Sequence, residues 1–157
     1  VITLLSLLAL ALSLNDFSLP VAAQRKTGLS GNWEWTSPTD KEHQQTAFFL
    51  DIKQRGNKVS GTLGFALLVD GENDGSGSSQ TPFIGTVNGD EVTIEFDPDD
   101  VSGEDAANLR YKRPKGKSPS IATLRLKNGK LEWTQVKGKL GDSPGEIPRQ
   151  LTMRRSK

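Results

Sequence analysis

An all-β fold, an antiparallel up-and-down β-barrel of about eight strands, follows from two features of the sequence. Nearly every apolar segment alternates with period two, and three short Gly/Asn turn signals join such segments. Alternation of this kind gives a strand one dry and one wet face. Helical periodicity is almost absent. Antiparallel strands with one apolar face must pack on a second sheet or close on themselves, and hairpins between neighbours in the chain favour the sequential barrel over a Greek-key sandwich.

The chain opens on an uncharged apolar run, Val1 to Leu14, ended by Asn15 and Asp16, with Leu19-Pro20-Val21-Ala22-Ala23 ahead of Gln24. A run of about 14 residues is shorter than the ~20 that a membrane helix needs, and Val21 and Ala23 are small residues of the kind that precede a signal-peptidase cut. An uncleaved anchor is the alternative, but Asp16 and Pro20 interrupt any longer apolar helix. The expectation is a signal peptide over 1–23 and a single β-barrel domain over 24–157, secreted or periplasmic, with no transmembrane segment in the mature chain. The sequence has no Cys. An exported domain without Cys has no disulfide framework and no lipid-modified cysteine, so packing and hydrogen bonds must hold it.

The expected strands are 31–36, 46–54, 58–69, 82–87, 91–97, 108–113, 120–127, 131–137 and 149–155. Phe48, Leu50 and Ile52 alternate with Phe49, Asp51 and Lys53 in the second, and Val59, Gly61, Leu63, Phe65, Leu67 and Val69 share one face of the third. Val92, Ile94 and Phe96 do the same in the fifth. The turns are Arg55-Gly56-Asn57-Lys58, Asn88-Gly89-Asp90 and Asn128-Gly129-Lys130, where Gly and Asn supply the positive φ of tight hairpins. Nine candidates exceed the eight of a small barrel, and 108–113, short and heavily charged, is the least secure.

"LSGNWEWTS", Leu29 to Ser37, carries two of the three tryptophans two residues apart. Residues so spaced on a strand share a face, so Trp33 and Trp35 point inward together, and Gly31 lets the chain turn into the strand. In a closed meander of even strand number the first strand starts beside the end of the last, where Arg155 shares the inward parity of Leu151 and Met153. Arg155 then stacks on Trp33 as a cation–π plug at one mouth. Gly31-Asn32-Trp33 on the first strand, with a terminal basic residue, Arg155 or alternatively Arg154, over the Trp and sequential hairpins over 24–157, resembles the calycin superfamily, the lipocalins and avidins. The resemblance implies a small closed barrel, and a barrel of this size has room either for filling side chains or for one small ligand. The polar biotin contacts of the avidins have no counterpart here, and biotin binding is not carried over.

Charge is divided along the chain. From Gln24 to Asp105 there are 6 Lys/Arg against 15 Asp/Glu, and from Ala106 to Lys157 there are 14 against 3. Neighbouring strands of opposite sign can pair across the outer face of a barrel. Arg110, Lys112, Arg113, Lys115 and Lys117 cluster, but only Tyr111 among them could stack a base, so no nucleic-acid partner is expected.

Catalytic chemistry finds little support. His43 is the single His, and without Cys or a second His there is no ordinary zinc site and no Cys-His pair. Asp70-Gly71-Glu72-Asn73-Asp74-Gly75 matches the opening of a calcium loop, which makes Asp70, Glu72 and Asp74 weak metal candidates. Thr81, however, stands where the bidentate Glu belongs. The acidic residues Asp97, Asp99, Asp100, Glu104 and Asp105 form a second loop of the same kind. No metal and no cofactor is expected. The leading function is a non-enzymatic, lipocalin-like binding protein with Trp35, Phe65, Phe96, Tyr111 and Trp133 lining a site for a small, mostly apolar ligand. The alternatives are a protein-interaction or inhibitor module of the cell envelope that uses the barrel-mouth loops, and third, a hydrolase with loop carboxylates.

Overall fold

A computed structural model describes residues 28–74, 80–99, 118–141 and 143–156. Its strands are β1 (Gly31–Thr36), β2 (Gln44–Arg55), β3 (Lys58–Val69), β4 (Glu72–Asn73), β5 (Thr81–Asn88), β6 (Glu91–Phe96), β7 (Ser120–Lys127), β8 (Lys130–Lys137) and β9 (Gln150–Arg155). Apart from the two-residue β4 appended to β3, each strand pairs antiparallel with the next, β9 pairs with β1, and the β2–β3 pairing completes an eight-stranded closed barrel. The expected strands match these to within two residues at each end. The segments 1–23 and 108–113, with Tyr111, lie outside the described residues. Among the described residues no helix is long and apolar enough to cross a membrane.

The three turns form as their residues dictate. At Asn128-Gly129 both central residues have positive φ, 53° and 75°, the type I′ geometry whose twist matches that of the flanking strands. A fourth hairpin was not expected. Asp70 and Gly71, at φ 53° and 83°, turn the chain so that Val69 pairs with Glu72. Asp70 thus sits in a two-residue turn and Glu72 and Asn73 in a strand, while residues 75–79 of the weak calcium-loop candidate lie outside the described residues. Among the described residues no three His, Cys, Asp or Glu side chains gather as a metal site.

Alternation sets the core. Phe48, Leu50 and Ile52 of β2, Leu63 and Phe65 of β3, Phe83 of β5, Ile94 and Phe96 of β6, Leu124 of β7 and Leu131 and Trp133 of β8 are all buried in one cluster inside the barrel. Small strands must bend sharply to close so small a barrel, and a Cβ on the inward-facing Gly61 would overlap the Asp51 carbonyl and stand 2.7 Å from Phe83 Cζ. Since the strands alternate in direction, the turns after β2, β5 and β7 share one end with the start of β1 and the end of β9. The connections that leave β1, β3, β6 and β8 start at the other end.

Candidate functional site

The end that carries the turns after β2, β5 and β7 is sealed. Trp33 is paired in register with Arg155, and the guanidinium carbon stands 4.5 Å from the centre of the indole ring. Arg155 also donates to the Ser30 carbonyl at 2.9 Å and to the Gly28 carbonyl. Trp33 Nε1 donates to the Leu29 carbonyl at 2.8 Å, and the Leu29 side chain is itself buried in the core. The chain ahead of β1 is therefore drawn across the barrel floor by two side chains from opposite ends of the sequence. Gly31, at φ 130°, is needed there: a Cβ would lie 2.5 Å from the Arg155 guanidinium.

The other end holds the aromatic residues. Phe48 stacks on Phe65 with centroids 5.4 Å apart and meets the edge of Trp133 at 5.0 Å, while Phe96 is tilted against Trp133 at 6.2 Å. Trp35, paired with Phe48 across β1 and β2, packs on this cluster and is half-buried. Four of the expected lining residues, Trp35, Phe65, Phe96 and Trp133, thus converge; Tyr111 lies outside the described residues. Phe48 touches both Phe65 and Trp133 and was missed as a site residue, although its inward parity on β2 was legible.

Trp133 carries the feature with most chemical content. The residue is 1% exposed, yet its Nε1 has no hydrogen-bond partner among the described residues. A buried donor without an acceptor is destabilising by about 1–3 kcal/mol. The segment from Gly138 to Arg149 passes over this end: Leu140 and Ile147 pack on the core, Gly141 runs close to Phe65 and Pro98, and Gly145 to Thr46. Its base is tied by Ser120 Oγ donating to the Lys139 carbonyl at 2.6 Å and by Gln135 Nε2 donating to the Gly138 carbonyl at 3.1 Å.

Beside this segment the remaining polar candidates do structural work. Asp40 accepts from the amides of Glu42 and Gln44 at 2.9 and 2.8 Å and so shapes the β1–β2 loop. His43 Nδ1 stands 3.5 Å from an Asp70 carboxylate oxygen, both side chains well exposed, and the Asp70 amide donates to the His43 carbonyl. Asp97 accepts from the Asp99 amide at 3.1 Å. The divided charge pairs across strands, Arg125 with Glu91 at 3.1 Å and Arg154 with Glu34 at 3.0 Å, and within the basic stretch Lys127 pairs with Glu132 at 3.6 Å.

No protein-family model matches the chain, and it is matched by neither a curated protein nor a solved structure. Its character rests on its own geometry: a closed antiparallel barrel with one sealed end, a buried aromatic cluster under the other, and two clefts of about 550 and 320 Å³ on the outer wall. The larger is lined by Lys53, Arg55, Lys58, Val59, Ser60, Ile84, Gly85, Thr86, Thr93 and Glu95.

Proposed function

We propose that the protein is an exported, non-catalytic binding protein of calycin-like build that takes a small, mostly apolar ligand at the mouth opposite Trp33. The observation that carries this reading is the buried Trp133 Nε1, without a partner among the described residues, on a ring packed against Phe48 and Phe96, with Phe65 stacked on Phe48. A ligand with one hydrogen-bond acceptor on an apolar body would satisfy that donor and bury its remainder against the rings. It would reach them by lifting Leu140 and Ile147, the half-buried contacts of the segment that passes over the mouth.

A second reading has its own support. Trp33, Phe48 and Trp133 are each 1% exposed or less, which suits a filled interior whose mouth loops meet a protein partner. Tryptophan-fluorescence titration against a panel of apolar and amphipathic small molecules separates the two. Saturable quenching that Trp133→Phe weakens about tenfold, and that Trp35→Phe alters in amplitude, supports the ligand site. No saturable response from any member of the panel leaves the loop-mediated module.

A further inference from the structure

The larger outer cleft has a composition that the barrel architecture does not require. Lys53 and Arg55 lie two apart on β2, Lys58 and Ser60 on β3, Ile84 and Thr86 on β5, and Thr93 and Glu95 on β6, so each pair shares the outer face. Register joins them into two rows. One runs Lys53, Ser60, Ile84, Glu95, and the next runs Arg55, Lys58, Thr86, Thr93. The β2–β3 side of the cleft is thereby cationic, and the β5–β6 side offers hydroxyls, the 41% exposed Ile84 and the one carboxylate.

Two facts, their clustering and their register, set these cations apart. They are three of only six Lys/Arg in the acidic stretch from Gln24 to Asp105, gathered in one place. They also face one another: Arg55 stands directly across from Lys58, with Lys53 two residues along on the same face, and like charges this close repel one another. An anion in the cleft removes that repulsion.

We infer that the cleft between β2 and β6 binds a phosphate monoester carried on a small polyol. A phosphate monoester brings close to two negative charges and three acceptor oxygens, which match an arginine fork, two ammonium groups and nearby hydroxyls better than a single carboxylate does. Glu95 at the far side disfavours an extended polyanion, which places the phosphate toward Lys53, Arg55 and Lys58 and the polyol toward the hydroxyls of Thr86 and Thr93. A cleft of about 550 Å³ is of the size that holds such a molecule. The same chemistry is found on a soluble sugar or glycerol phosphate and on a lipid headgroup. The site is on the outer wall and is independent of the mouth.

The test uses the purified protein with glycerol 3-phosphate followed by amide chemical shifts, and phosphatidic acid against phosphatidylcholine vesicles followed by co-sedimentation. Saturable shifts at Lys58, Thr86 and Thr93 identify a soluble ligand, and co-sedimentation with phosphatidic acid alone identifies a headgroup. Either must fall at least tenfold in Lys53→Gln/Arg55→Gln/Lys58→Gln and stay within twofold in Arg125→Gln/Lys127→Gln/Arg154→Gln, which removes equal charge elsewhere. Thr86→Glu, at an exposed position beside Lys58, must weaken binding as well and serves if the triple variant does not fold. Absence of both responses, equal losses in the two triple variants, or glycerate binding as tightly as glycerol 3-phosphate overturns the inference.

Discussion

Arg155 does three things with one guanidinium: it covers the Trp33 ring at 4.5 Å and donates to the carbonyls of Ser30 and Gly28. The planar fork allows this combination, which an ammonium cannot reproduce. Trp33→Ala should destabilise the fold by about 3–5 kcal/mol, as a buried aromatic lost from a core does. Arg155→Ala should cost about 1–2 kcal/mol from the ring contact and the two hydrogen bonds. Each change removes the shared contact, so a double-mutant cycle by urea denaturation should give a coupling of about 0.5–2 kcal/mol. Strict additivity would mean that the ring and the guanidinium act separately. Arg155→Lys should recover less than half of the loss, because the lysine keeps charge without the fork.

At the scale of the element, glycine separates two kinds of position. Gly56 sits in the β2–β3 turn at φ 59° with open space where a Cβ would stand, whereas the Cβ of an alanine at Gly61 would run into the backbone of Asp51 on the paired strand. Alanine at Gly56 meets only the left-handed backbone penalty, about 1 kcal/mol. At Gly61 it forces β2 and β3 apart at the bend where Phe83 closes over them, which should cost about 3 kcal/mol. Equilibrium unfolding of the two variants checks the order. Equal losses would show that β3 is not bent tightly against β2 at this point.

The whole molecule is held by its interior, with charge arranged around it. The pairs Arg125–Glu91, Lys127–Glu132 and Arg154–Glu34 tie neighbouring strands, but each cation is more than half exposed. Exposed pairs contribute about 0–1 kcal/mol each and are screened by salt. Raising sodium chloride from about 0.05 to 1 M should therefore lower unfolding free energy by no more than about 2 kcal/mol in total. A larger drop would assign the surface charges a greater share of stability than the aromatic core allows. The topology also divides labour between the two ends. Three of the tight turns and the Trp33–Arg155 plug occupy one, and the Asp70-Gly71 turn and the longer connections, with Leu140 and Ile147 over the aromatic cluster, occupy the other.

Local chemistry is what the sequence by itself determined. Period two placed Phe48, Phe65, Phe96 and Trp133 on inward faces, and Asn128-Gly129 specified its turn, because both depend only on the geometry of a few adjacent residues. Strand count and the Trp33–Arg155 contact followed from closure, a constraint that a meander of half-apolar strands imposes on itself. The hairpin at Asp70-Gly71 was obscured because its two-residue turn shares its composition with a calcium loop, and only φ at both residues distinguishes them. Only the tertiary structure decided that Phe48 links Phe65 to Trp133, that Trp133 Nε1 lacks a partner among the described residues, and that Lys53, Arg55 and Lys58 line one cleft with Thr86 and Thr93. Each depends on register between strands distant in the chain, and a sequence read one strand at a time states which face a residue takes but not whom it meets there.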